Sequence, residues 1–158
     1  MTKGPELLKE LENEFNNIKK DLKFKASFEE IDKVFYLKDQ ILKEGFVSPN
    51  LSRQITWRIV DTYTSWYNYL HNLIMPNPQS MVQLQESQGF NDEEKEKIMK
   101  VMPKLVLFGR KNSLIGLTKD KKEEAKFIDD SLKVWKEVLP ILVMVNEKTV
   151  KSLENVSN

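Results

Sequence analysis

The sequence predicts an all-α, single-domain bundle of about five helices around a long central helix at about 49–75. Three observations lead there. Apolar residues recur at spacings of three and four through nearly every segment, the mark of helices with one buried face. No segment alternates with the period of two that a half-buried strand shows. Only 5 glycines and 6 prolines are spread over 158 residues, too few for the many turns of an all-β fold. The composition, 40% hydrophobic and 31% charged, is that of a globular chain, and the length allows one core without staples.

The elements follow in order. Gly4-Pro5-Glu6 opens a first helix, with proline tolerated in the first turn and an acid near its positive end. Leu8, Leu11, Phe15, Ile18 and Leu22 give it one narrow seam. That seam reads as a surface helix lying on a bundle, with half of a short coiled coil as the alternative. Ser27 answered by Glu30 is a capping box, and starts a second helix that carries Phe28, Ile31, Val34, Phe35, Ile41 and Leu42 as far as Gly45. Tyr36 and Leu37 fall off its apolar face. Ser48-Pro49 then caps the central helix, which runs to the breaker Pro76.

Along that central helix Leu51, Ile55, Ile59, Tyr63, Trp66, Leu70 and Leu73 form one apolar line, widened by Trp57, Val60, Tyr67 and Ile74. Gln54, Arg58, Asp61, Ser65, Asn68 and Asn72 form the opposite polar strip. An apolar face this broad has to be covered on two or three sides. After Met75-Pro76-Asn77-Pro78 the periodicity lapses until Asn91, whose acidic followers Asp92, Glu93 and Glu94 mark a new helix start, although Ser80–Glu86 has room for a turn or two. Pro103 should kink that helix. Gly109, Ser113 and Gly116 are either breaks or a small-residue line for close helix approach. Asp120 with Glu123 starts the last helix, with Ala125, Ile128, Leu132, Trp135, Leu139 and Leu142 as its stripe. Pro140 should kink or split it, and the tail from about 147 should fray.

The chemistry in the sequence is sparse. The absence of cysteine excludes disulfides, thiolate metal sites and cysteine nucleophiles. The one histidine, His71, has Tyr67, Asn68, Ile74 and Met75 at helical spacing, where a catalytic or metal role needs acids or imidazoles. It reads as a bundle-edge histidine with one hydrogen bond. Arg58 and Asp61 read as a surface ion pair. Inward Glu-x-x-His pairs and a glycine-rich phosphate loop are both missing. No enzyme activity, metal or cofactor is expected. No signal peptide or spanning segment is expected either, which suits a soluble cytoplasmic protein.

Two surfaces remain. Met75, Pro76, Pro78, Met81 and Phe90 form an adaptable apolar surface suited to another protein, unless the methionines plug the end of the bundle. From Lys97 to Lys122 the chain is basic, with Lys104, Arg110 and Lys111 as candidates for phosphate contacts, although acids at 92–96 and 123–124 flank the stretch. The net charge of +1 sets up no global field for a polyanion. The aromatics of the central helix are expected to be core, with Trp57 and Tyr69 nearest its edge.

The run Met102-Pro103-Lys104-Leu105-Val106-Leu107-Phe108-Gly109-Arg110 and on through Trp135 is similar to a stretch of the small all-helical subunits of RNA-guided CRISPR effector complexes. It covers about a fifth of the chain and lies at a different position from that family's stretch. The resemblance implies a ribonucleoprotein association and assigns no residue. The primary expectation is a non-enzymatic protein-interaction or assembly module, binding another protein or itself. A nucleic-acid-binding accessory subunit is the alternative.

Overall fold

A computed structural model of the chain describes residues 4–157. Seven helices and no strand are present among them: α1 (Gly4–Leu22), α2 (Phe28–Phe35), α3 (Leu37–Glu44), α4 (Leu51–Ile74), α5 (Met81–Gln88), α6 (Asp92–Thr118) and α7 (Lys121–Ser157). The fold class is as expected and the helix number is higher. One extra helix comes from a break at Tyr36, the other from the segment after Pro78.

The Tyr36 break is a rotation device. Tyr36 takes a left-handed conformation (φ 55°, ψ 49°), which costs free energy for a residue with a Cβ. In return Leu37, which a continuous helix would turn outward, becomes fully buried. The polar groups freed at the break find partners. The Asp32 carboxylate accepts the Lys38 N–H at 2.8 Å, and the Phe35 carbonyl accepts the Arg58 Nε–H at 2.6 Å. Arg58 therefore closes a helix end, and the expected ion pair with Asp61 does not form.

The second extra helix, α5, is weakly amphipathic and is held by polar tethers. Ser80 caps it through the Gln83 N–H, and the Ser87 hydroxyl donates to the Leu73 carbonyl at 2.7 Å. The Tyr69 hydroxyl donates to the Glu86 carboxylate at 2.6 Å.

α4 touches all six other helices, so the central-helix reading holds. It starts at Leu51 rather than Pro49. Asn50 is the cap residue, and the Ser48 hydroxyl instead accepts the Asn50 N–H in the preceding turn. α6 runs antiparallel to α4, with Gly109 opposite Val60 and Gly116 opposite Arg53. α7 runs with α4, since the Tyr63 hydroxyl donates to the Ser131 carbonyl and Trp66, further along α4, shares a groove with Leu139 and Val143, further along α7. The core joins these three helices through rings. Tyr63 meets Phe108 at 4.9 Å and Phe35 at 5.8 Å edge-on, and stacks on Trp135 at 6.4 Å.

α1 lies on the bundle as a surface helix, with Leu7, Leu11 and Phe15 buried, so its seam is occupied by its own chain. Its link to α2 is pinned from α7. The Asp129 carboxylate accepts the N–H groups of Lys25 at 3.0 Å and Ala26 at 2.8 Å. Pro103 and Pro140 interrupt neither α6 nor α7. Both face solvent, so the carbonyls they free, on Met99 and Lys136, open towards water. Gly109 and Gly116 also leave α6 continuous. The tail expected to fray is helical, and Thr149 is buried within it.

Candidate interaction surfaces

The loop expected to bind protein divides. Met75 is 66% and Met81 80% exposed, so neither plugs the bundle. Pro78 is exposed and Pro76 half-buried. The loop is ordered by its own side chains: the Asn77 carboxamide oxygen accepts the Gln79 N–H, and the Gln83 carboxamide oxygen accepts the Asn77 N–H. Phe90 leaves the set. It sits between the end of α5 and the cap of α6 and turns into the core, with the Lys148 ammonium 5.7 Å from its ring centroid.

The basic candidates also divide. Lys104 Nζ lies 2.6 Å from Glu137 on α7, so its charge is largely taken up. Lys97 has Glu93 at 3.9 Å and Lys121 has Glu124 at 3.7 Å. Lys111 folds back over the Phe108 ring. Residues seven apart on a helix lie within about 20° of one line, which places Lys104 and Lys111 together on the flank facing α7. Arg110, one residue before Lys111, points about 100° away into solvent. The three do not make one phosphate-facing patch.

His71 is half-buried beside the Tyr67 ring, 6.0 Å away, and its imidazole forms no hydrogen bond among the described residues. Asp61 lines a cleft of about 510 Å³ with Trp57, Arg58, Gln54 and Glu44. Gln54 donates to Glu44 there at 2.6 Å. Trp57 is 52% exposed, as its edge position predicts. No cluster of three His, Asp or Glu side chains capable of holding a metal occurs among the described residues. No helix among them is long and apolar enough to cross a membrane.

The surface that sequence reasoning missed is a groove of about 580 Å³ between α4 and α7. Trp66 forms one wall. Trp135, Leu139, Val143 and Val150 form the other, with Leu142 at the floor. Beyond it Leu153 continues the α7 line, 41% exposed. The signal was present as the spacing 135, 139, 143, 150, 153, which sits beside the buried line Val138, Leu142, Val145. Together the two lines make α7 apolar over more of its circumference than one neighbour covers.

The groove has an electrostatic neighbour. Tyr69, on α4 one turn beyond Trp66, has its hydroxyl pushed up to about 12 by burial, with the Glu86 hydrogen bond adding to the shift. It remains a neutral donor at any physiological pH, and so keeps α5 fixed against this end of α4. No protein-family model, characterised protein or solved structure matches the chain.

Proposed function

We propose that this chain is a non-enzymatic protein-interaction module that receives an amphipathic helix in the groove between α4 and α7. The observation that carries the reading is the groove itself: two tryptophan walls, a nearly all-apolar lining and a volume in the range of ligand-holding clefts. Helix-in-groove recognition needs a trough lined at every third or fourth residue, and the α7 line from Trp135 to Val150 supplies one about 22 Å long at about 1.5 Å per residue. Half-buried tryptophans gain the most from being covered, which is why they dominate binding energy at such sites. Glu147 and Lys151 on the rim supply charges of both signs to fix register.

A photo-crosslinking amino acid at Val143, expressed in the source cells, tests this. A discrete heavier adduct from Val143, absent when the same group replaces Lys20 on the outer face of α1, is the expected result. No adduct at Val143, or equal adducts at both positions, would sink the groove reading. A nucleic-acid-binding role remains the second reading, supported by Lys100, Arg110, Lys119 and Lys122, which make no ion pair among the described residues. It expects binding to RNA or DNA that falls steeply between low and moderate salt.

A further inference from the structure

α6 carries a second apolar line, on the side away from the bundle. Met99, Leu107, Leu114 and Leu117 are all large, apolar and exposed, Leu117 by 83%, and Pro103 is exposed between the first two. The spacing is that of one helix face, opposite the buried line of Ile98, Val101, Leu105, Phe108 and Ile115. No other helix among the described residues covers it.

The charges on this line are arranged about its proline. Glu96 stands seven residues before Pro103 and Arg110 seven after, both exposed and both on the same line. Met99 stands four before and Leu107 four after. The order Glu96, Met99, Pro103, Leu107, Arg110 reads as its own complement when reversed. We propose that two copies of this chain pair through α6, antiparallel, about a two-fold axis at Pro103. Such a pairing sets residue i against residue 206 minus i of the second copy. Glu96 then meets Arg110 of the second copy, Met99 meets Leu107, and each contact is made twice, as an isologous interface requires.

The mixed sign of the line selects the occupant. A uniformly acidic helix would meet Glu96, and a nucleic acid would meet both Glu96 and the exposed apolar side chains of Met99, Leu107, Leu114 and Leu117. A second copy meets neither obstacle. The cost is the approach of Lys100 to Lys104 of the second copy, and Glu137 already offsets the Lys104 charge at 2.6 Å. A single helix pair lies at the small end of protein interfaces, so the dimer is a weak one, with Kd on the order of micromolar. This surface is separate from the α4–α7 groove and does not depend on it.

Sedimentation velocity across about 1–300 μM, bracketing that range, is the test. The unaltered chain should pass from monomer to dimer, and Leu107→Glu should hold it monomeric. Glu96→Arg and Arg110→Glu alone should each weaken pairing about tenfold, by setting like charges opposite one another. Together they should restore it to within about threefold, since the swapped charges are again complementary. Every substituted side chain is exposed, and circular dichroism checks that each variant keeps its helices. A chain that is monomeric throughout, a double variant no better than the singles, or a dimer lost in Val143→Lys but kept in Leu107→Glu would each overturn the proposal.

Discussion

The two halves of α4 live in different surroundings. From Leu51 to Tyr63 the helix buries Leu51, Ser52, Ile55, Thr56, Ile59, Val60 and Tyr63. Beyond Tyr63 only Leu70 and Leu73 are buried, and Trp66, Tyr67 and Tyr69 are partly covered. The difference follows side-chain size at the contacts. The first half meets α6 with Val60 opposite Gly109 and Arg53 opposite Gly116, and small groups let two helix axes close up. The second half meets α7 through Trp66 and Trp135, which hold the helices apart and leave the groove. Stability should therefore concentrate in the first half and recognition in the second.

Tyr63→Ala against Trp66→Ala is the sharpest way to break that division. Tyr63 is fully buried, touches three rings and donates its hydroxyl to the Ser131 carbonyl. Its loss should cost about 3–5 kcal/mol of unfolding free energy, the range for deleting a large buried ring. Trp66→Ala removes a half-covered ring and should cost about 1 kcal/mol, while removing one groove wall. Urea unfolding of both variants decides it, and equal losses would mean that the open half is as structural as the closed one.

The same contrast explains what could be read from the sequence. The central helix, its core line and the exposed Trp57 were legible because spacing alone fixes which side of a helix is apolar. The Tyr36 break was visible only as two residues off the stripe. Nothing in the chain before it names Arg58 as the group that satisfies the Phe35 carbonyl. α5 was illegible because a serine cap and hydrogen bonds hold it in place of an apolar stripe. Whether Met75 and Met81 plug the bundle depends on where α5 lies, so that question stayed open too. The groove was hidden for the opposite reason: its leucines and valines read as more core.

Asn112 is the weak point in the closed half. It is fully buried at the α4 side of α6, and neither atom of its carboxamide finds a hydrogen-bond partner among the described residues. Beside it Arg53 Nη1 is also without one, although Arg53 Nη2 lies 3.4 Å from the Asn112 carbonyl. A buried polar group without a partner costs about 1–3 kcal/mol. Asn112→Leu, of similar volume, should thus raise stability by about 1–2 kcal/mol, an unusual sign for a core substitution. A loss of stability would show that the carboxamide does bonding work that fixes the register of α4 on α6.

Gly109 sharpens the comparison from the other side. A Cβ built there comes no nearer than 4.0 Å to Val60 Cγ1, an ordinary contact. The helices are close here without requiring glycine. Gly109→Ala should raise stability by about 0.5–1 kcal/mol through helix propensity alone, read as a higher urea midpoint with an unchanged slope. Gly116 is different, because its Cβ would stand 3.1 Å from the Arg53 guanidinium. The same substitution there should gain less or turn unfavourable.

The smallest effect expected belongs to the open end, where Glu94 ties the start of α6 to Lys148 on α7. The Asn91 backbone N–H donates to the Glu94 carboxylate at 3.0 Å, and with the Lys148 ion pair this lowers its pKa below the ordinary 4.5. A carboxylate depressed in the folded state adds stability above the unfolded pKa and loses it as pH falls through the lower folded value. The contribution is therefore complete at pH 7 and fades below about pH 4.5. Glu94→Gln should cost less than about 1 kcal/mol at pH 7, the size of a partly exposed pair with its cap. The gap between the two proteins should narrow as pH falls and close once the Glu94 carboxyl is protonated in the folded state. The closed half of α4 has no such group, so the acid-induced loss should appear first as faster amide exchange in α6 residues 92–98 and in α7 near Lys148, ahead of the segment around Tyr63. Simultaneous loosening of both regions would show that the two halves of α4 unfold as one unit.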